Sequence, residues 1–108
     1  MDSGFNSHGK KHEDKWALDE QLRFKATARR NKLLGLWAAA EMGMTGEEAE
    51  AYAKTVIASD FKEPGEEDVF CKVRDDVRTK GLPLSDEMIR QKMASLTVQV
   101  REEIEASS

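Results

Sequence analysis

Residues 33–40 read LLGLWAAA, a run that is apolar on nearly every side of a helix. Such a helix has no water-facing side, so other elements must surround it. The ten residues before it are opposite in character: Arg23, Lys25, Arg29, Arg30 and Lys32, with no acid among them. One helix from about residue 15 to 42 accommodates both stretches. Leu18, Leu22, Ala26, Arg29, Leu33, Leu36 and Ala40 follow steps of three and four and are expected to form its apolar stripe. A second face carries Trp16, Arg23, Thr27, Arg30, Leu34 and Trp37, and a third Phe24, Ala28, Asn31, Gly35, Ala38 and Met42. Gly35 disfavours a helix interior by about 1 kcal/mol relative to Ala. The close approach of a neighbouring helix would explain its use.

The neighbours are legible downstream. Gly43 is a stop signal. Thr45-Gly46-Glu47-Glu48 reads as a capping box, with the Thr side chain on the Glu48 amide and Met44 placed as a hydrophobic staple. A helix over 46–61 follows, with Ala49, Tyr52, Ala53, Val56, Ile57 and Phe61 on its apolar face. KEPG, residues 62–65, breaks it, and Pro64 suits the first turn of a third helix over 65–80. Glu66, Glu67 and Asp68 there complement the positive helix start. Val69, Phe70, Val73 and Val77 are its buried face, and Lys80-Gly81 closes it. Ser85 caps a fourth helix over 86–105 whose stripe is Ile89, Met93, Leu96, Val100 and Ile104. No segment alternates with period two. The three shorter helices are too short to stand alone in water, so all four must share one core. The predicted fold is therefore all-α: a four-helix, bundle-like domain over 15–108. Residues 1–14, with two glycines and only Met1 and Phe5 as large apolar residues, are expected to be a flexible leading segment.

Charge is unevenly spread. Residues 1–43 carry 8 Lys/Arg against 6 Asp/Glu, and the remainder 9 against 15, within a net charge of −4. That balance argues against a surface built for nucleic acid. The single cysteine, Cys71, excludes an internal disulfide and fits a reducing compartment. Beside Phe70 it reads as a small packing residue. The first residues lack the apolar core of a signal peptide, and no run approaches a membrane span, so a cytoplasmic protein is expected.

Catalytic signatures are missing. GMTGEEAEAY lacks the lysine and spacing of a phosphate-binding loop. His8 and His12 lie four apart with Glu13 beside them, but Gly9 stands between them, and a solvated tail is the simpler reading. The paired acids Glu47/Glu48, Glu66/Glu67, Asp75/Asp76 and Glu102/Glu103 fall at helix starts or on polar faces, where they serve capping and solubility. The expectation is a non-enzyme without metal or cofactor.

The basic cluster remains. As a grip on nucleic acid or a small anion, its five cations would neutralise phosphates, but they circle the helix instead of lining one face. As a membrane-surface helix it would have to spend apolar residues that the core needs. As structure, Arg29 would pair with an acid of a neighbouring helix, such as Asp60, Asp75 or Asp76, at the rim of the core. Arg30 and Lys32 would then face a partner. The alternative to a dedicated partner is a helical binding module for another protein, a nucleic acid or an anionic ligand, gripped by residues 23–32.

FKATARRNKLLGLWAAAEMG (24–43) followed by EAYAKTVIASDFKEPGEEDVFCKVRDD (50–76) resembles the zeta subunit family of α-proteobacterial F-type ATP synthases. The likeness extends from about Lys15 to Ile104. It implies a regulatory protein that inhibits ATP hydrolysis, with a leading segment that becomes helical and wedges into a catalytic interface of the synthase headpiece while the helical domain anchors it. Phe5 matches the family's early aromatic. Glu13, Lys15, Trp16, Ala17 and Asp19 match the end of its inhibitory segment, with Trp where Phe is more usual. Between them NSHG replaces an acidic pair and an Arg-Glu sequence, which implies weakened or lost inhibition. The resemblance places the protein in the cytoplasm, peripheral to the inner membrane when bound to the synthase. Free, it is expected to be a monomer that neither binds nucleic acid nor inserts into the membrane.

Overall fold

The computed structural model describes residues 20–60 and 66–107. Four helices run in order: α1 (Glu20–Glu41), α2 (Gly46–Ala58), α3 (Glu67–Thr79) and α4 (Asp86–Ser107). Among the described residues there is no strand. The expected start of the first helix, Phe61 and the KEPG break fall outside the described residues.

The loops close with identifiable bonds. Gly43 adopts φ 82°, the left-handed region that a Cβ disfavours. There its amide bonds to the Ala40 carbonyl at 3.1 Å and the Met44 amide to that of Ala39 at 2.8 Å. This is a Schellman closure, which satisfies carbonyls that α1 would otherwise leave bare. The end of α3 repeats it, with Gly81 on Arg78 at 2.9 Å and Leu82 on Val77 at 3.1 Å. At the start of α4 the Ser85 hydroxyl accepts from the Met88 amide at 3.1 Å, as a cap should.

The capping box before α2 does not form. Thr45 stands at the cap position in extended backbone, but its side chain makes no cap bond. Gly46 enters the helix at φ 58°, in the left-handed region and not at the helical torsions that a capping box needs directly after its cap. Glu47 and Glu48 still place charge in the first turn, where the helix dipole favours it.

α1 is the hub. It packs most extensively on α2 and next on α4, and it also touches α3. The core gathers Leu34 and Ala38 of α1, Val56 of α2, Val69, Phe70, Val73 and Val77 of α3, and Ile89, Met93 and Leu96 of α4. Leu33, Trp37, Met42, Tyr52, Cys71, Leu82 and Leu84 pack around it, partly buried. α1 and α2 meet at Gly35, where a Cβ would lie 2.7 Å from the Ala53 Cα. Such a contact is too short for any side chain, so only glycine lets the two backbones come this close.

The register of α1 differs from the expected one. Its buried residues are Ala26, Arg30, Asn31, Leu34, Gly35, Ala38 and Ala39. Arg29 is exposed and Leu33 and Leu36 are only partly buried. A stripe through Arg29 and Leu33 assumes one covered side. Here α2 and α4 cover two adjoining sides, and the buried arc centres on Leu34.

Candidate functional site

Of the residues expected to meet a partner, Phe5, Glu13, Lys15, Trp16 and Asp19 lie outside the described residues, as do His8 and His12. The basic cluster is described in full, and its members have separate fates.

Arg30 is 7% exposed. Its Nε donates to Asn31 Oδ1 at 2.7 Å, and its Nη1 donates to Glu66 Oε1 at 3.0 Å and Thr97 Oγ1 at 3.3 Å. Asn31, 1% exposed, donates through Nδ2 to Asp60 Oδ2 at 2.9 Å. These two adjacent side chains thus hold both ends of the α2–α3 connection, Asp60 and Glu66, and tie them to α4 through Thr97. A buried guanidinium and a buried amide keep their donors satisfied this way, which is the condition for burying them at all.

Arg29 is the exposed neighbour. It pairs with Glu103 of α4 at 3.4 Å, with 49% and 43% of the two side chains exposed. The expected roles of the two arginines are therefore reversed: Arg30 is the structural one, and Arg29 lies on the surface. The acids proposed for Arg29 are engaged elsewhere. Asp60 accepts from Asn31, Asp75 pairs with Arg74 at 3.1 Å, and Asp76 accepts from Tyr52 Oη at 2.8 Å and Lys72 Nζ at 2.9 Å. Burial, then the hydrogen bond to Asp76 and its charge, push the Tyr52 phenol far above its ordinary value, so it stays protonated.

Lys32 reaches Glu50 of α2 at 3.9 Å, and Arg23 reaches Glu20 at 3.9 Å. Lys25 is exposed and has no ion pair among the described residues. The five cations do not converge on one site, and Arg30 is not available to a ligand. Beside Lys25 stands Phe24, 74% exposed, the most exposed large apolar side chain described. Sequence reasoning put Phe24 and Asn31 on one helix face without assigning either a role. For Asn31 the signal is that shared face, which also carries the buried Gly35 and Ala38; the same face gives no sign that Phe24 is left bare.

Elsewhere the polar contacts are structural. Arg90 forks onto Glu67 at 2.9 and 3.1 Å and lies 3.7 Å above the Phe70 ring. The Arg90 hydrogen bonds, and then its charge, hold the Glu67 carboxyl below its usual range. Among the described residues no group of three or more His, Cys, Asp or Glu is placed to hold a metal ion. None of the described helices is long and apolar enough to cross a membrane.

A family model described as ATPase inhibitor subunit zeta matches residues 1–103. The chain belongs to this family. The zeta-family match takes in the leading residues, α1 to α3 and most of α4, so the segment ahead of α1 is part of the shared pattern. A protein whose solution NMR structure is known is 40% identical to this zeta-family chain, with a TM-score of 0.70. The match covers 81% of this chain and 99% of that one. No curated protein matches it. Membership places this chain among inhibitor subunits, whose role is regulatory.

The two arginines separate by experiment. Arg30→Ala is expected to lower stability by about 1–3 kcal/mol, since it leaves the buried Asn31 carbonyl without its donor and unties Glu66. Arg29→Ala is expected to lose about 0.2–1 kcal/mol, the scale of an exposed pair. Urea unfolding of both variants measures the difference, and the reverse order would contradict the burial of Arg30.

Proposed function

We propose that this zeta-family protein inhibits ATP hydrolysis by F-type ATP synthase, binding the catalytic headpiece through its leading segment while the four-helix domain anchors it. One observation carries the reading: the match to the inhibitor family begins at residue 1 and so includes the segment ahead of α1. Phe5, Glu13, Lys15, Trp16 and Asp19 are the proposed contacts. The action is mechanical. A helix lodged between subunits blocks the closure that hydrolysis needs, and no covalent step is involved. Such a protein sits beside the membrane only through the synthase.

The fate of NSHG bears on strength. Gly9 weakens a helix formed on binding by about 1 kcal/mol relative to Ala, close to a fivefold loss of affinity if that helix is required. The test is ATP hydrolysis by the cognate synthase, titrated with the full chain and with a variant lacking residues 1–19. The full chain is expected to inhibit. The shortened chain is expected to keep its helical circular dichroism and cooperative melting while losing inhibition. Failure of the full chain both to inhibit and to co-purify with the synthase would falsify the proposal.

A further inference from the structure

The face of α1 that carries Phe24, Ala28, Asn31, Gly35 and Ala38 is covered along only part of its length. α2 covers it at Gly35, against Ala53 and Val56, and the turn after α2 covers Asn31 through Asp60. α2 ends at Ala58. On the same face, one and two turns toward the start of α1, Ala28 is exposed and Phe24 is 74% exposed. The adjoining side of α1 remains held, with Ala26 buried and Arg29 on Glu103 of α4. The bare strip is therefore part of an anchored helix, and it continues the seat that α2 occupies below it.

We propose that this strip docks a helix of a protein partner, one with an apolar ridge flanked by carboxylates. Phe24 and Ala28 supply the apolar contact, in the manner of α2 on Gly35. Charge decides what can lie there. Arg23 and Lys25 stand about 100° to either side of Phe24, and Lys32 follows Lys25 two turns on. Against them are Glu20, 3.9 Å from Arg23, and Glu50, 3.9 Å from Lys32. Lys25 brings a charge with no counterpart among the described residues, so an acidic partner gains where a basic one is repelled. A second copy laying its own strip here would set Arg23 and Lys25 against themselves. This deepens the proposed function, since it gives the folded domain a contact with the headpiece in addition to that of the leading segment.

The experiment uses the full chain and three variants: Phe24→Ser, Lys25→Glu, and Val98→Ser as a control at an exposed apolar residue of α4. Each is titrated against ATP hydrolysis by the cognate synthase at two salt concentrations, with melting temperature and sedimentation measured in parallel. Phe24→Ser and Lys25→Glu are expected to raise the half-inhibiting concentration about tenfold, equal to about 1.4 kcal/mol, without altering melting. Val98→Ser should match the parent chain, and higher salt should shrink the effect of Lys25→Glu. Inhibition by the parent chain with unchanged half-inhibiting concentrations in both strip variants would overturn the strip and leave the proposed function standing. No binding or inhibition by the parent chain would overturn both. Concentration-dependent dimers abolished by Phe24→Ser would make the occupant a second copy and overturn the proposal.

Discussion

Leu34→Ala is expected to destabilise the domain by about 2–5 kcal/mol, the range for truncating a fully buried leucine. Leu34 is 0% exposed and is the largest side chain that α1 buries completely. It belongs to the one core cluster that draws on all four helices. Truncation removes the isopropyl end of the side chain from that shared cluster, and rigid neighbours cannot all move in to fill the space. Domains of this size have a total stability of about 5–15 kcal/mol, so the loss is a large share of the whole. Each kcal/mol should lower the melting temperature by roughly 4–8 °C. Thermal and urea unfolding measure it. A loss below about 1 kcal/mol would mean that the core collapses freely around the site, contrary to the packing described.

Gly35→Ala is the second large effect, and its sign opposes local propensity. In an isolated helix the change would stabilise by about 1 kcal/mol. In the folded protein the new Cβ would lie 2.7 Å from the Ala53 Cα, 3.2 Å from the Ala53 Cβ and 3.2 Å from a Val56 methyl. The nearest of these is backbone, so no rotamer change relieves it and α2 must move off α1. Overpacking of this kind costs about 1–3 kcal/mol net, with more possible where backbone must shift. Adding Ala53→Gly should not restore stability, because the clashing Cα remains. A neutral or stabilised Gly35→Ala in urea unfolding would show that α1 and α2 are not in close contact there.

Much of this was legible along the chain. The helix punctuation at Gly43, Lys80-Gly81 and Ser85 rests on local backbone chemistry, which needs no tertiary context. Val69, Phe70, Val73 and Val77 are all buried, and so are Ile89, Met93, Leu96 and Val100. α3 and α4 each bury one main stripe, and a single stripe is what periodicity detects. α1 buries two adjoining sides, so seven-residue patterns in several registers fit its second half equally well. Thr45 shows a local limit of another kind. The capping-box pattern is present, but Thr45 makes no cap bond and Gly46 takes a left-handed φ where the box needs helical torsions.

For the functional residues the division is sharper. The basic cluster was visible as composition, and the family as a resemblance carried by 24–43 and 50–76. Which arginine would be buried was not. Arg29 and Arg30 are chemically identical and adjacent, and nothing local distinguishes them. Segment by segment, then, the order of residues suffices for four helices, their ends and the simple stripes, because those depend on backbone torsions and on contacts a few residues apart. Only the assembled domain could choose Arg30 over Arg29, bury Asn31 and leave Phe24 bare, because those outcomes depend on where α2 ends beside α1 and on which acids of distant segments arrive to meet each cation.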